Sequence, residues 1–139
     1  MNPAFKDKAV VIYKDIKGGE VSRAGKFENG FVNARVRDFG TYYIRIDTTA
    51  PVIKPVNVSN GKNMRTLKKL VFKISDNLSG IEGFDTYLDG KWVVTDYDAK
   101  TSSITHILDA NLAAGEHTFK VEVRDERNNA SEYTVKFKM

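Results

Sequence analysis

Apolar and polar side chains alternate with a period of two along most of this chain. Over residues 117–124, Phe119, Val121 and Val123 fall on one face, and Thr118, Lys120, Glu122 and Arg124 fall on the other. Residues 131–138 repeat the pattern, with Tyr133, Val135 and Phe137 inward and Thr134, Lys136 and Lys138 outward. Leu70, Phe72 and Ile74 form another inward set, and Tyr42, Ile44 and Ile46 one more. Val32, Ala34 and Val36 line a further strand against Asn33, Arg35 and Arg37. Such alternation marks antiparallel strands with one wet face. The nearest approach to a helix, residues 109–114, is long enough only for a turn.

Turn residues punctuate these runs. Asn29-Gly30, Ser59-Asn60-Gly61 and Asp89-Gly90 supply the positive φ angles of tight connections, and Gly18-Gly19, residues 38–40, residues 76–80 and Asn128-Asn129 mark others. A boundary is expected at Asp-Thr-Thr-Ala-Pro (47–51), because Pro51 has no N–H for a ladder and restricts its predecessor. Residues 1–48 are predicted to form a small antiparallel β-meander with strands near 8–14, 20–27, 31–37 and 41–47. Residues 49–139 are predicted to hold strands near 52–58, 68–75, 83–88, 91–96, 103–108, 116–125 and 130–138. Seven short strands in about 90 residues are the count of an immunoglobulin-like β-sandwich. The predicted fold is therefore all-β, a sandwich preceded by a meander. A piece as small as 1–48, with neither disulfide nor metal, buries too little surface alone. It is expected to pack on the sandwich or to be the remnant of a larger domain.

Composition narrows the chemistry. The 139 residues contain no cysteine, which excludes disulfides and thiol-based zinc, redox or nucleophile chemistry. The net charge of +4 is mild, and lysines alternate with acids along most strands. Lys62, Arg65, Lys68 and Lys69 form the one basic group, read as lysines that guard strand edges rather than as a polyanion site. No nucleic-acid partner is expected. No apolar run reaches the roughly 20 residues of a bilayer span, so no membrane insertion is expected. The first residues carry no signal-peptide stretch, and an export signal would have to lie upstream.

Several motifs resemble a known family. They are Asp-Thr-Thr-Ala-Pro (47–51), Ile-Ser-Asp-Asn-Leu-Ser-Gly-Ile (74–81), Leu-Asp-Gly-Lys-Trp-Val (88–93), Asp-Tyr-Asp-Ala-Lys (96–100), Ala-Gly-Glu-His-Thr-Phe (114–119) and Val-Glu-Val-Arg-Asp (121–125). Together they resemble the C-terminal immunoglobulin-like accessory region of bacterial lysostaphin-type zinc metallopeptidases. Residues 25–31 and 36–42 resemble the segment preceding that module. The resemblance implies an extracytoplasmic setting, periplasmic or at the cell surface, and a parent that cuts peptidoglycan peptides. Such peptidases bind zinc through His-x-x-x-Asp and a later His-x-His. This chain has only His106 and His117, in neither context, so no catalytic residue carries over.

Other candidate chemistry is sparse. His117, at the opening of a strand after Gly115, is expected to contact backbone or pack. No cofactor is expected. In immunoglobulin topology the linker, the second-to-third strand loop and the last hairpin share one end of the sandwich. That end would gather Asp47, Asp76 and Asp125, with Asp98 nearby, a carboxylate set that suits calcium. The competing readings are that each aspartate satisfies its own turn amides, or that the three organise the interface with residues 1–48. Tyr87, Trp92 and Tyr97, beside the Asp89-Gly90 hairpin, are candidates for stacking on sugar rings, although Trp92 reads more simply as the large core residue of the sandwich. Leu112 is expected to plug the bottom of the sandwich.

The expected function is a non-catalytic accessory or interaction module of an exported cell-envelope protein. Its partner would be a peptidoglycan peptidase domain of the same parent, or a cell-wall polymer. The alternative is a carbohydrate-binding or adhesin module using Tyr87, Trp92 and Tyr97. An enzyme with dispersed carboxylates ranks last.

Overall fold

A computed structural model describes residues 2–139. Asn2 caps a short 3-10 turn, Pro3–Lys8, by accepting the Ala4 N–H at 3.0 Å. The chain then runs through β1 (Ala9–Lys14), β2 (Glu20–Ser22), β3 (Lys26–Glu28), β4 (Phe31–Asn33) and β5 (Thr41–Ile46). The larger part holds β6 (Val52–Pro55), β7 (Lys69–Ser75), β8 (Ile81–Leu88), β9 (Lys91–Trp92), β10 (Asp96–Asp98), β11 (Ser103–Ile107), β12 (Glu116–Asp125) and β13 (Ala130–Lys138). Among the described residues no helix is long and apolar enough to cross a membrane.

Two four-stranded antiparallel sheets, β10-β11-β7-β6 and β13-β12-β8-β9, form the sandwich. The chain passes from β7 in one sheet to β8 in the other, returns at β10, and crosses again to β12, the Greek-key path of an immunoglobulin-like fold. The inward residues are those the alternation selects. Leu70, Phe72 and Ile74 face Phe119, Val121 and Val123, with Val135 and Phe137 alongside, all buried. The Phe72 and Phe119 rings stack across the core at 5.6 Å. Leu112 packs half-buried against this cluster, in the role expected of it.

Within the sandwich, eight strands replace the predicted seven. The run 91–96 divides between two sheets. Val93 turns in toward the core, where its N–H donates to the Thr86 carbonyl at 2.9 Å and its own carbonyl accepts from Thr86 Oγ1. The chain then crosses to start β10. Strand β6 ends at Pro55, short of the predicted 58. Asn57 then stands in for backbone, accepting the Val71 N–H at 3.0 Å and donating to the Lys69 carbonyl at 2.9 Å. The segment that follows lies along the outer edge of β13, where Gly61 and Met64 donate to the carbonyls of Lys136 and Lys138. It thereby covers an edge that would otherwise be free to pair. It also inserts Val58 and Met64 into the core. Lys62, Arg65, Lys68 and Lys69 are exposed on this segment and at the start of β7. Arg65 and Lys68 flank a cleft of about 310 Å³ with Leu108, Leu112 and Met139.

Residues before the linker are less regular than a four-strand meander. The sheet has three strands, ordered β2-β1-β5, and β3-β4 is a separate hairpin. The predicted strand 20–27 breaks at Ala24 and Gly25, whose φ angles are 56° and 105°, so the chain turns and lays the hairpin over β1. Asn29 and Gly30, both at positive φ, close that hairpin as the sequence requires. The predicted strand 31–37 stops at Asn33, and Val36 is exposed. Strand β1 is covered on both faces, with Ala9, Val10, Val11 and Ile12 all buried. Ile44 and Ile46 pair with Val11 and Ala9 but are exposed, because the short hairpin covers the central strand and leaves the edge strand β5 open.

The core pattern makes a direct comparison possible. Phe119→Ala should lower stability by about 3–5 kcal/mol in urea unfolding, through lost burial and the cavity left behind. Trp92→Ala should change it by less than about 1 kcal/mol, because that ring lies outside the core.

Candidate functional site

Three loops meet at one end of the sandwich: the linker 47–51, the β7–β8 loop 76–80 and the β12–β13 loop 126–129. Each is shaped by its own aspartate. Asp76 Oδ2 accepts the N–H of Leu78 at 3.1 Å and of Gly80 at 2.8 Å, and the Ser79 hydroxyl at 3.4 Å. Asp125 Oδ1 accepts the N–H of Arg127 and Asn129 at 2.8 and 2.9 Å, and its Oδ2 takes the Asn129 amide at 2.7 Å. These are the local side-chain-to-amide bonds that aspartate makes in turns. Asp47 spans two segments, because Oδ1 accepts from Thr49 N–H while Oδ2 accepts from Ser79 N–H at 2.8 Å, across 32 residues.

The topology brings the three carboxylates together as expected. One oxygen from each lies within 4.8 Å of the others. Asp47 and Asp125 are 1% and 0% exposed. Asp76 Oδ1 is shielded from solvent and has no hydrogen-bond partner. Asp98 lies outside the group, exposed on β10, where it accepts the Lys100 N–H.

Around the carboxylates sits a clamp that sequence reasoning did not anticipate. The Arg127 guanidinium donates to the Ala9 carbonyl at 2.7 Å and to the Gly25 carbonyl at 2.6 Å, so one side chain of the last hairpin holds both β1 and the turn before β3. In return Lys8 Nζ donates to the Arg127 carbonyl and to Asn129 Oδ1, both at 2.6 Å. Asn129 also donates to the Asp47 carbonyl at 3.0 Å, and Asp47 N–H donates to the Lys8 carbonyl at 2.8 Å. Every bond uses a charged group or a backbone group, and hydrogen bonds of charged groups are the stronger kind. The signal available in the sequence was Glu-Arg-Asn-Asn (126–129), a polar loop longer than a two-residue hairpin needs.

The two histidines are engaged in structure. His106 Nδ1 donates to the Val94 carbonyl at 2.8 Å, and its ring lies 5.4 Å from that of Phe119. His117 is buried, with Nε2 at 2.7 Å from the Ala113 carbonyl and Nδ1 at 2.7 Å from Asp89 Oδ2. A carbonyl and a carboxylate only accept, so the arrangement favours the doubly protonated ring. The hydrogen bond to Asp89, then that to Ala113, raise the His117 pKa above its ordinary value, against the effect of burial. Burial pushes the Asp89 carboxyl up, but its bonds to His117 and to Thr118 N–H outweigh this and hold it below the ordinary value.

The aromatic candidates separate. Tyr87 and Trp92 are register partners on β8 and β9, and so share the outer face of their sheet. Lys120 Nζ lies 4.8 Å from the Tyr87 ring centre, and Trp92 Nε1 donates to Asp85 at 3.2 Å. Trp92 is 59% exposed, which corrects its expected place in the core. The physical reason is pairing: Thr86 and Leu88 point inward from β8, which turns Tyr87, and hence Trp92 opposite it, outward. Tyr97 lies on β10 of the other sheet against Phe84, which belongs to the core side. The three rings therefore do not make one platform.

A family model described as a Zu5-like domain matches residues 2–47, the part before the sandwich. A solved structure titled as fibronectin(III)-like modules of Clostridium thermocellum CbhA is similar over 92% of this chain, with 16% identity and a TM-score of 0.47. This chain spans 58% of the length of that one. No curated protein matches.

Two outcomes follow from the clamp and the histidine pair. Arg127→Ala should cost about 2 kcal/mol, and amide exchange should speed up in β1 more than in β12, reporting a junction loosened ahead of the sandwich. The His117–Asp89 pair should give stability a bounded pH window. Its His117 contribution is complete below the ordinary value of 6.5 and is lost as pH rises through the raised folded value. The Asp89 contribution is complete above 3.8 and is lost as pH falls through the lowered folded value. Urea midpoints measured across pH should fall on both sides, and His117→Gln should flatten the alkaline fall.

Proposed function

We propose that this chain is a non-catalytic accessory module of an exported cell-envelope protein, acting outside the cytoplasm to position a peptidoglycan peptidase domain of the same parent. The observation that carries the reading is the clamp of Lys8, Arg127 and Asn129, which ties the N-terminal segment to one end of the sandwich. A positioning module needs a fixed geometry between the part that joins its neighbour and the part that reaches away. Charged side chains spent on backbone carbonyls supply that fixity. The histidines support the same reading, since three of their ring nitrogens are bonded to structural partners. The peptidase parentage rests on the motifs at 47–51, 74–81 and 88–100.

A second reading, glycan binding, draws on exposed Trp92 and half-buried Tyr87 as a pair with Asp85 and Lys120 beside it. Aromatic faces edged by hydrogen-bonding groups are suited to sugar rings.

Purified peptidoglycan separates the readings. Incubated with sacculi, the chain should release no soluble peptide or sugar fragments above a buffer control. Release of such fragments would sink the non-catalytic reading. Under the glycan reading the chain co-sediments with sacculi, and replacing Trp92 and Tyr87 by alanine should reduce retention at least about tenfold, given the share of binding that buried aromatic anchors carry.

A further inference from the structure

We propose that Asp47, Asp76 and Asp125 hold a calcium ion that fastens the N-terminal segment to the sandwich. The inference does not depend on what the module is attached to. Three carboxylates, from the linker and from positions 29 and 78 residues away along the chain (76 − 47 and 125 − 47), converge within 4.8 Å. Two are wholly buried. Among the described residues no lysine, arginine or histidine forms a salt bridge with any of them. Lys8, the cation of the clamp, directs its Nζ to Arg127 O and Asn129 Oδ1. Uncompensated like charges at this spacing are costly in a protein interior.

Turn amides explain part of the arrangement but not all of it. They engage both oxygens of Asp47, both of Asp125 and Oδ2 of Asp76. Asp76 Oδ1 is left shielded from solvent with no donor. A buried carboxylate oxygen without a partner calls for a proton or a cation. The donor set is oxygen only, with neither histidine nor cysteine in the group, which selects a hard cation. Calcium takes oxygens at about 2.3–2.6 Å in adaptable geometry, so ligands up to about 5 Å apart share one ion. The observed spread fits that sphere. Waters or loop carbonyls would complete it.

Protonation is the competing account, and one substitution separates the two. In Asp76→Asn the amide oxygen still accepts from Leu78 and Gly80, while the amide NH₂ replaces the orphan oxygen and mimics a protonated acid. The test uses the full 139-residue chain, stripped with chelator and titrated with calcium chloride alone, by calorimetry and by thermal unfolding. The expected result is one ion per chain, with Kd between about 10⁻⁶ and 10⁻³ M, a melting temperature that rises with calcium, and slower amide exchange at residues 47–49 and 76–80. Asp76→Asn should weaken calcium binding at least about 30-fold, as loss of a charged ligand does, and keep or raise the melting temperature in chelator. No heat, no melting shift and unchanged exchange at about 10 mM calcium, well above that range, would overturn the proposal. Calcium affinity undiminished in Asp76→Asn would also overturn it. If the variant does not fold, the wild-type titration and exchange decide alone.

Discussion

The Arg127 guanidinium reaches from the last hairpin of the sandwich to the carbonyls of Ala9 and Gly25, and the placement of residues 2–48 turns on that reach. Those residues build one strand, β1, that is covered on both faces, yet they have only a three-stranded sheet and a short hairpin to cover it. So small a unit encloses too little apolar surface to hold a unique arrangement alone. The sandwich supplies what is missing through charged donors aimed at backbone acceptors, with Lys8 answering in the opposite direction. The junction is polar, and its order depends on satisfying each group rather than on area.

The same end of the molecule concentrates its acidic side chains. Asp76 and Asp125 first build their own loops, and those loops present the amides that receive Asp47 and the Asn129 side chain that holds the Asp47 carbonyl. Local turn chemistry and the contact between the N-terminal segment and the sandwich are therefore one structure seen at two scales. At the opposite end, His117 joins the Asp89 hairpin to the Ala113 turn and lies against Phe137. Both ends of the sandwich are closed by polar side chains reaching across loops, and the apolar core stacked on Phe72 and Phe119 occupies the space between.

This distribution bears on function. Side chains that would ordinarily suggest reactivity, the buried histidine and the clustered carboxylates, each have a structural partner, with Asp76 Oδ1 the exception. The aromatic pair on β8 and β9, half-buried Tyr87 and exposed Trp92, is on the sheet face away from the core, on a different surface from the junction.

The sequence by itself determined the strands that bury one face, because alternation is a local property that any sheet imposes on its own residues. Strands β7, β12 and β13 and their inward sets were legible on that ground, and so was the meeting of Asp47, Asp76 and Asp125, which follows from loop order once the topology is known. Tertiary structure alone decided how far each covering layer extends. It left Ile44 and Ile46 open beyond a hairpin too short to reach them, turned Trp92 outward through its pairing with Tyr87, and split residues 91–96 between two sheets. It also brought Arg127 to Ala9 across 118 residues. The physical reason is one of range: alternation specifies that a side has an inside, and only the neighbour that arrives there fixes which residues are covered and which polar groups find partners.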